Sequence, residues 1–163
     1  MKSPPSRTYH HTQAGPWGLV LLAFGLLMLA TAWTARHEAV ALLILLPTGA
    51  LMLVLAASFH DLTVADAGSH LALRFGPMRL FQKKIPYDDI TAVGVGRTTL
   101  LDGWGIHLSV RGGWVWNIWG RDCVVIHRRR GVVRVGSDDA ENLAGFLKVR
   151  MAEVNPSVPW QER

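Results

Sequence analysis

Two apolar runs that lie almost end to end occupy the first third of the sequence. Residues 16–35 and 39–59 contain no Asp, Glu, Lys or Arg, and only Arg36, His37 and Glu38 separate them. A helix of about 20 residues is about 30 Å long, which is the thickness of the hydrocarbon core of a bilayer. The pattern therefore predicts a hairpin of two transmembrane helices, followed by a domain that is tethered to the membrane.

Basic residues flank this hairpin at both outer ends. Lys2 and Arg7 precede the first run, Lys83 and Lys84 follow the second, and Arg36 is the only Lys or Arg in the connection. Lys and Arg accumulate in the cytoplasmic segments of membrane proteins. We therefore expect a multi-pass protein of the cell membrane with both termini in the cytoplasm.

A cleaved signal peptide is the rival interpretation of the first run. Lys2 and Arg7 would form its charged start, and Ala30-Thr31-Ala32 resembles a small-residue cleavage site. A second apolar run follows almost at once, however, and the hairpin explains both runs together. The hairpin is therefore the preferred prediction.

The rest of the chain is the size of one basic domain. The protein has 163 residues, a formal net charge of +5 and one cysteine, Cys123. Positive charge beside a membrane favours contact with anionic lipid. No nucleic-acid-binding motif accompanies it, so no nucleic-acid partner is expected.

A single cysteine excludes an internal disulfide. We expect residues 1–15 to be a disordered tail and residues 153–163 a loose one.

Short alternating runs replace the apolar pattern after the second run. Residues 71–75 alternate as in a half-buried strand, and residues 105–111 do so most clearly. In the latter run we expect Leu108 to be buried and Ser109 to be exposed. Five further short runs bring the count to about seven strands with no helix between them, so antiparallel sheets are expected.

The end of the domain changes to a helical period. Asp138 is a good N-cap, and Leu143, Phe146, Leu147 and Met151 recur at helical spacing. This helix is expected to lay its apolar side on the strands.

Several segments resemble the bacterial pleckstrin-homology-like domain family. They are FGP (75–77), IPYDDITAV (85–93), GWGI (103–106), VVI (124–126) and VRVGSD (133–138). The resemblance covers residues 62–152, and members of the family often follow a pair of membrane helices. It implies an α+β fold, a split barrel of about seven antiparallel strands that is capped by the C-terminal helix. The motifs are packing and turn patterns, so no ligand residue is transferred.

Indoles and arginines are the candidates for lipid or partner contact. Trp104, Trp114, Trp116 and Trp119 form either an aromatic contact surface or part of the core. Alternation puts Trp114 and Trp116 on one strand face and Trp119 on the other, so we expect one set inside and one outside. Arg128, Arg129 and Arg130 lie at an expected hairpin tip, where they meet lipid phosphates or form a solvated turn; the solvated turn is preferred.

No catalytic or metal-binding pattern accompanies these residues. His60, His70, His107 and His127 lack metal-ligand spacing, and no nucleophile triad or phosphate loop is visible. We therefore expect no enzyme activity, no metal and no cofactor.

Three functional hypotheses follow. The first is a non-enzymatic membrane-anchored module that binds a protein partner or associates with itself. The second is a module that senses anionic lipid. The third is an accessory subunit of a membrane enzyme or transporter, which is disfavoured because neither apolar run holds an Asp, Glu, Lys or Arg.

Overall fold

Two long apolar helices follow the first strand of the chain. In the computed structural model, which describes residues 8–99 and 102–154, they are α1 (Trp17–Thr34) and α2 (Ala39–Ser58). Both are long and apolar enough to cross a membrane, and their ends differ from the predicted ones by one residue at most. They pack closely, because a β-carbon on Gly25 would lie 3.2 Å from the carbonyl oxygen of Gly49.

A short strand before the helices belongs to the domain after them. Strand β1 (His10–Ala14) pairs antiparallel with β2 (Asp61–Asp66), and Ala14 lies opposite Asp61. The prediction of a disordered tail over residues 1–15 is therefore wrong for this strand, while residues 1–7 lie outside the described part. Because β1 and β2 are neighbours, the helical hairpin is an insertion between two strands of one sheet.

The first sheet has four strands in the order β1-β2-β3-β4. Strands β3 (His70–Phe75) and β4 (Phe81–Pro86) complete it, and all of its pairs are antiparallel. Leu71, Leu73 and Phe75 are buried at every second position, which confirms the alternation predicted for this strand.

The second sheet has five strands in the order β5-β8-β9-β7-β6. A short 3-10 helix (Tyr87–Asp89) leads into it, and its strands are β5 (Ile90–Arg97), β6 (Gly105–Leu108), β7 (Trp114–Asn117), β8 (Asp122–Arg128) and β9 (Val132–Gly136). Strands β7 and β9 are parallel, so the expectation of purely antiparallel sheets is wrong at this pair. The reason is that the chain passes over β9 between β7 and β8 and then returns, so β9 lies between them and runs in the direction of β7. The connection from β5 to β6 also crosses the sheet, from one edge to the other. The described residues form nine strands rather than about seven.

Helix α3 (Ala140–Val154) confirms the predicted C-terminal helix. Its apolar side buries Leu143, Phe146, Leu147 and Met151, and it packs against β5, β8 and the 3-10 helix. The ring of Tyr9 stacks on that of Phe146, with 5.5 Å between centroids. The α+β class is therefore confirmed, with one core shared by both sheets and α3. The predicted C-terminal tail lies outside the described residues from position 155 onward.

The register predicted for residues 105–111 is wrong. Leu108 is 65% exposed, whereas Ser109 is 7% exposed. Strand β6 ends at Leu108, and the backbone N–H of Ser109 donates to the carbonyl of Gly113 as the chain turns. Since β6 is an edge strand, the side chain of Leu108 has sheet neighbours on one side only.

Candidate functional site

Apart from the exposed Trp114 at its start, β7 is buried on both faces, whereas the sequence predicted one face inside and the other outside. Trp116 and Ile118 belong to the core between the sheets, and Val115 and Asn117, on the opposite face, have no exposed surface. The described residues of the connection from β5 to β6, residues 98, 99 and 102–104, form what we call the crossing segment, which covers that second face. Its residue Gly103 offers its carbonyl to the side-chain amide of Asn117, at 3.5 Å. Trp116 is thus a core residue and not a contact residue.

A fully buried carboxylate, that of Asp102, fixes the crossing segment. It accepts hydrogen bonds from the hydroxyl of Ser109 (2.5 Å), from the backbone and hydroxyl of Thr99, and from the guanidinium of Arg111 (3.0 Å). Burial alone raises the pKa of Asp102, but the hydrogen bonds from these donors hold it well below its usual range. The carboxylate and its donors are hydrogen-bond partners of one another, so the role of this cluster is structural.

Three indoles meet where the helices join the domain, and we call Trp17, Trp104 and Trp119 the helix-end cluster. Trp104 stacks on Trp119 with 4.9 Å between centroids, and Trp17, the first residue of α1, lies 5.5 Å from Trp104. Trp104 and Trp119 are each 43% exposed. An apolar cavity of about 290 Å³ lies beside the cluster, and its lining includes Phe59 and Ile118.

A second surface lies at the tips of two hairpins of the second sheet. Leu108, Val110 and Trp114 are exposed at the β6–β7 hairpin. Trp114 pairs with Val133 of β9, which brings the β8–β9 turn with Arg129 and Arg130 next to it. We call five exposed residues of these two hairpins the far-end surface: Leu108, Val110, Trp114, Arg129 and Arg130.

Lys83 of β4 adds positive charge beside this surface. Its ammonium lies 6.0 Å from the ring centroid of Trp114 and 5.9 Å from that of Trp116. Desolvation lowers the pKa of Lys83, and the neighbouring Arg128 lowers it further. The single ammonium of Lys83 therefore lies within cation–π distance of both indole rings.

Arg128 differs from the two arginines that follow it. One guanidinium nitrogen lies 3.6 Å from the carboxylate of Asp89, and another donates to the carbonyl of Arg130. Arg129 and Arg130 are exposed. The predicted hairpin tip is present, but only two of its three arginines face solvent.

The predicted contact residues therefore fall on two separate surfaces and in the core. Trp114 lies near the arginine turn, whereas Trp119 precedes the opposite end of β8. Strand β8 has seven residues, so its ends are about 20 Å apart. Nothing in the sequence pairs Trp17 with Trp104, because their contact depends on how the helices meet the domain.

In residues 8–99 and 102–154 no group of three or more His, Cys, Asp or Glu is placed to hold a metal ion. Comparison of the sequence with models of known families and with curated proteins gives no match.

Proposed function

We propose that the protein is a non-enzymatic, membrane-anchored interaction module. The observation that carries this proposal is the apolar surface of the two helices. Leu19, Leu27 and Leu43 are 64%, 56% and 77% exposed, and they stand for many similar side chains on α1 and α2. A surface of this size is stable against lipid or against another protein, and not against water.

The charge pattern supports an orientation with both termini in the cytoplasm. In that orientation the connection at residues 35–38 faces the other side of the membrane. The native thiol permits a simple test, since Cys123 is buried and burial raises its pKa to about 11. A membrane-impermeant maleimide applied to intact cells should label a His37→Cys variant and should not label the wild type. Labelling at position 37 only after the cells are opened would contradict this orientation.

The domain resembles a pleckstrin-homology-like split barrel in its main parts. Two sheets that share one core and a C-terminal helix packed on them support that assignment. The parallel pair β7–β9 departs from it. Since such a fold carries no chemistry of its own, function must be argued from the surfaces.

The far-end surface supports a protein partner. Leu108, Val110 and Trp114 present exposed apolar area, and Arg129 and Arg130 present two exposed cations beside it. Aromatic and Arg side chains are enriched at protein interfaces. The chemistry that fits is an apolar surface with an acidic rim, on another protein or on a second copy of this chain.

Sensing of anionic lipid is the second candidate, and the two exposed arginines favour it. Their position speaks against contact with the bilayer that holds the helices. They lie about 20 Å along β8 from the end nearest the helices, whereas the polar layer of a bilayer is only about 5–8 Å thick on each side. An accessory role in a membrane complex rests on the exposed sides of α1 and α2 alone.

Photo-crosslinking in native membranes tests the proposal. A photoreactive residue at position 110 should give a discrete adduct with protein, twice the mass of the chain if the partner is a second copy. Val95 offers a matched control, because it is an exposed valine on β5 at the other edge of the same sheet, 56% exposed against 71% for Val110. Equal diffuse labelling at both positions would contradict the proposal, and adducts with lipid at position 110 would favour the second candidate.

A further inference from the structure

We propose that the rim of the domain around the helix ends is a second membrane-contact surface, occupied by the headgroup layer of the bilayer. One side of this rim is formed by Trp104 and Trp119, and the other by Met78 and Leu80 of the β3–β4 loop. The inference rests on the membrane anchoring proposed above. It adds that the domain itself touches lipid and that its distance from the bilayer is fixed.

Both sides of the rim lie level with the helix ends. A β-carbon on Gly18 would lie 2.9 Å from the Cα of His60, so the start of α1 and the end of α2 are side by side. Trp104 contacts Trp17 at this level. In the β3–β4 loop, a β-carbon on Gly76 would overlap the carbonyls of Ala57 and Ser58 at the end of α2. The two loops therefore flank the same end of the hairpin.

The connections between helices and sheet are too short to lift the domain away. Only two residues separate β1 from α1, and only two separate α2 from β2. The strand end and the helix end that they join are therefore at most about 11 Å apart. The headgroup layer is about 5–8 Å thick on each side of the hydrocarbon core. Loops level with the helix ends must therefore lie within that layer.

The side chains of the rim suit this position. Indoles concentrate at membrane interfaces because they combine a large apolar ring with one hydrogen-bond donor. Met78 and Leu80 are 42% and 59% exposed, and an exposed cation, Arg79, stands between them. Among the described non-glycine residues only Arg79 has a left-handed backbone, with φ 54°.

Spin labels on the full-length protein in phosphatidylcholine vesicles test the inference. Leu80→Cys and Val110→Cys place labels at two exposed apolar positions, one on the rim and one on the far-end surface. Oxygen concentrates in lipid, and a nickel complex stays in water. The measured quantity is the ratio of collisions with oxygen to collisions with the nickel complex. This ratio should be several-fold higher for the label at position 80 than for the label at position 110. Leu43→Cys, about one turn into α2 and 77% exposed, reports whether the hairpin lies in lipid.

Each outcome of this experiment has a separate meaning. A label at position 43 that is open to the nickel complex would contradict the membrane anchoring itself. A lipid-exposed label at position 43 with a water-exposed label at position 80 would overturn only the contact surface. Shielding of position 80 from both reagents would mean that protein, such as a second copy, covers the rim.

Quenching by brominated phospholipid provides an independent measurement. Trp104 and Trp114 are 43% and 42% exposed, so the two indoles are matched in their exposed fraction. Trp104→Phe should remove emission that the brominated lipid quenches, whereas Trp114→Phe should remove emission that it does not quench. The same loss of quenchable emission from both variants would contradict a contact confined to the rim.

Discussion

Arg150 of α3 and Asp66 of β2 form an ion pair that joins the C-terminal helix to the first sheet. Their nearest nitrogen and oxygen atoms are 2.7 Å apart, and the side chain of Asp66 is only 3% exposed. Tyr87 and the backbone of Gly68 also donate hydrogen bonds to this carboxylate, each at 2.8 Å. Burial alone raises the pKa of Asp66, but the bonds from Arg150, Tyr87 and Gly68 hold it below its usual value.

The first prediction concerns this ion pair and its dependence on pH. Arg150→Gln should lower the free energy of unfolding at pH 7 by about 2–3 kcal/mol, somewhat less than for a fully buried pair, because Arg150 is partly exposed. Because the pKa of Asp66 is lower in the folded protein than in the unfolded one, its carboxylate stabilises the fold at pH values above the unfolded pKa of about 3.9. This stabilisation is lost as the pH falls through the folded pKa. The difference between variant and wild type should therefore shrink toward pH 3.

Thermal melts of the detergent-solubilised protein at both pH values measure this difference. Lys148→Gln, which removes an exposed cation from the same helix, is the control and should change little. A deficit for Arg150→Gln that stays the same at both pH values would argue against a role for the charge on Asp66.

The second prediction concerns the register of β6. Ser109→Ala removes a hydrogen bond from the buried carboxylate of Asp102 and should cost about 1–3 kcal/mol. Leu108→Ala removes an exposed side chain and should cost about 0.5 kcal/mol or less. Chemical denaturation of the two variants decides the matter, and a larger loss for Leu108→Ala would support the register expected from alternation.

The third prediction compares two glycines. A β-carbon on Gly136 would overlap the side-chain amide of Asn117, while a β-carbon on Gly145, inside α3, would meet nothing within 4 Å. Gly136→Ala should therefore destabilise the protein by about 1–3 kcal/mol. Gly145→Ala should stabilise it by about 0.5–1 kcal/mol, because alanine favours the helix. Melting temperatures that shift in the same direction would contradict this contrast.

The fourth prediction uses the position of the hairpin between β1 and β2. Because Ala14 lies opposite Asp61, an Asn-Gly turn should be able to replace residues 15–60 and join the two strands directly. This shortened protein should melt cooperatively. A fragment that begins at Asp61 lacks β1 and should be less stable or aggregate. Circular dichroism melts compare the two, and equal stability would mean that β1 contributes nothing.

The helices and most strands were predictable because their signals are local. Residues 16–35 and 39–59 are recognisable from length and lack of charge, and residues 71–75 from strict alternation. Helix α3 is recognisable from its apolar period. Each of these patterns depends only on the surroundings of a single helix or strand, that is, on which of its sides are in contact with apolar groups.

The rest depends on contacts between distant parts of the chain. Strand β1 has the sequence HHTQA, which alternates weakly and gains its order from pairing with β2. Ser109 is buried because Asp102 of the crossing segment packs against it. No local sequence pattern shows that the crossing segment covers this face of the sheet. For the same reason alternation grouped Trp114 with Trp116, although Trp116 lies in the core and Trp114 is exposed.

The insertion of the hairpin into the first sheet also constrains the order of events during synthesis. Thr12 and Thr63 share a hydrogen bond although 51 residues separate them. When β1 leaves the ribosome its partner does not yet exist, and both helices are made before β2 appears. Closing so long a loop is entropically costly for a flexible chain, but two paired helices bring its ends together beforehand. Pairing of the two helices therefore lowers the entropic cost of joining β1 to β2.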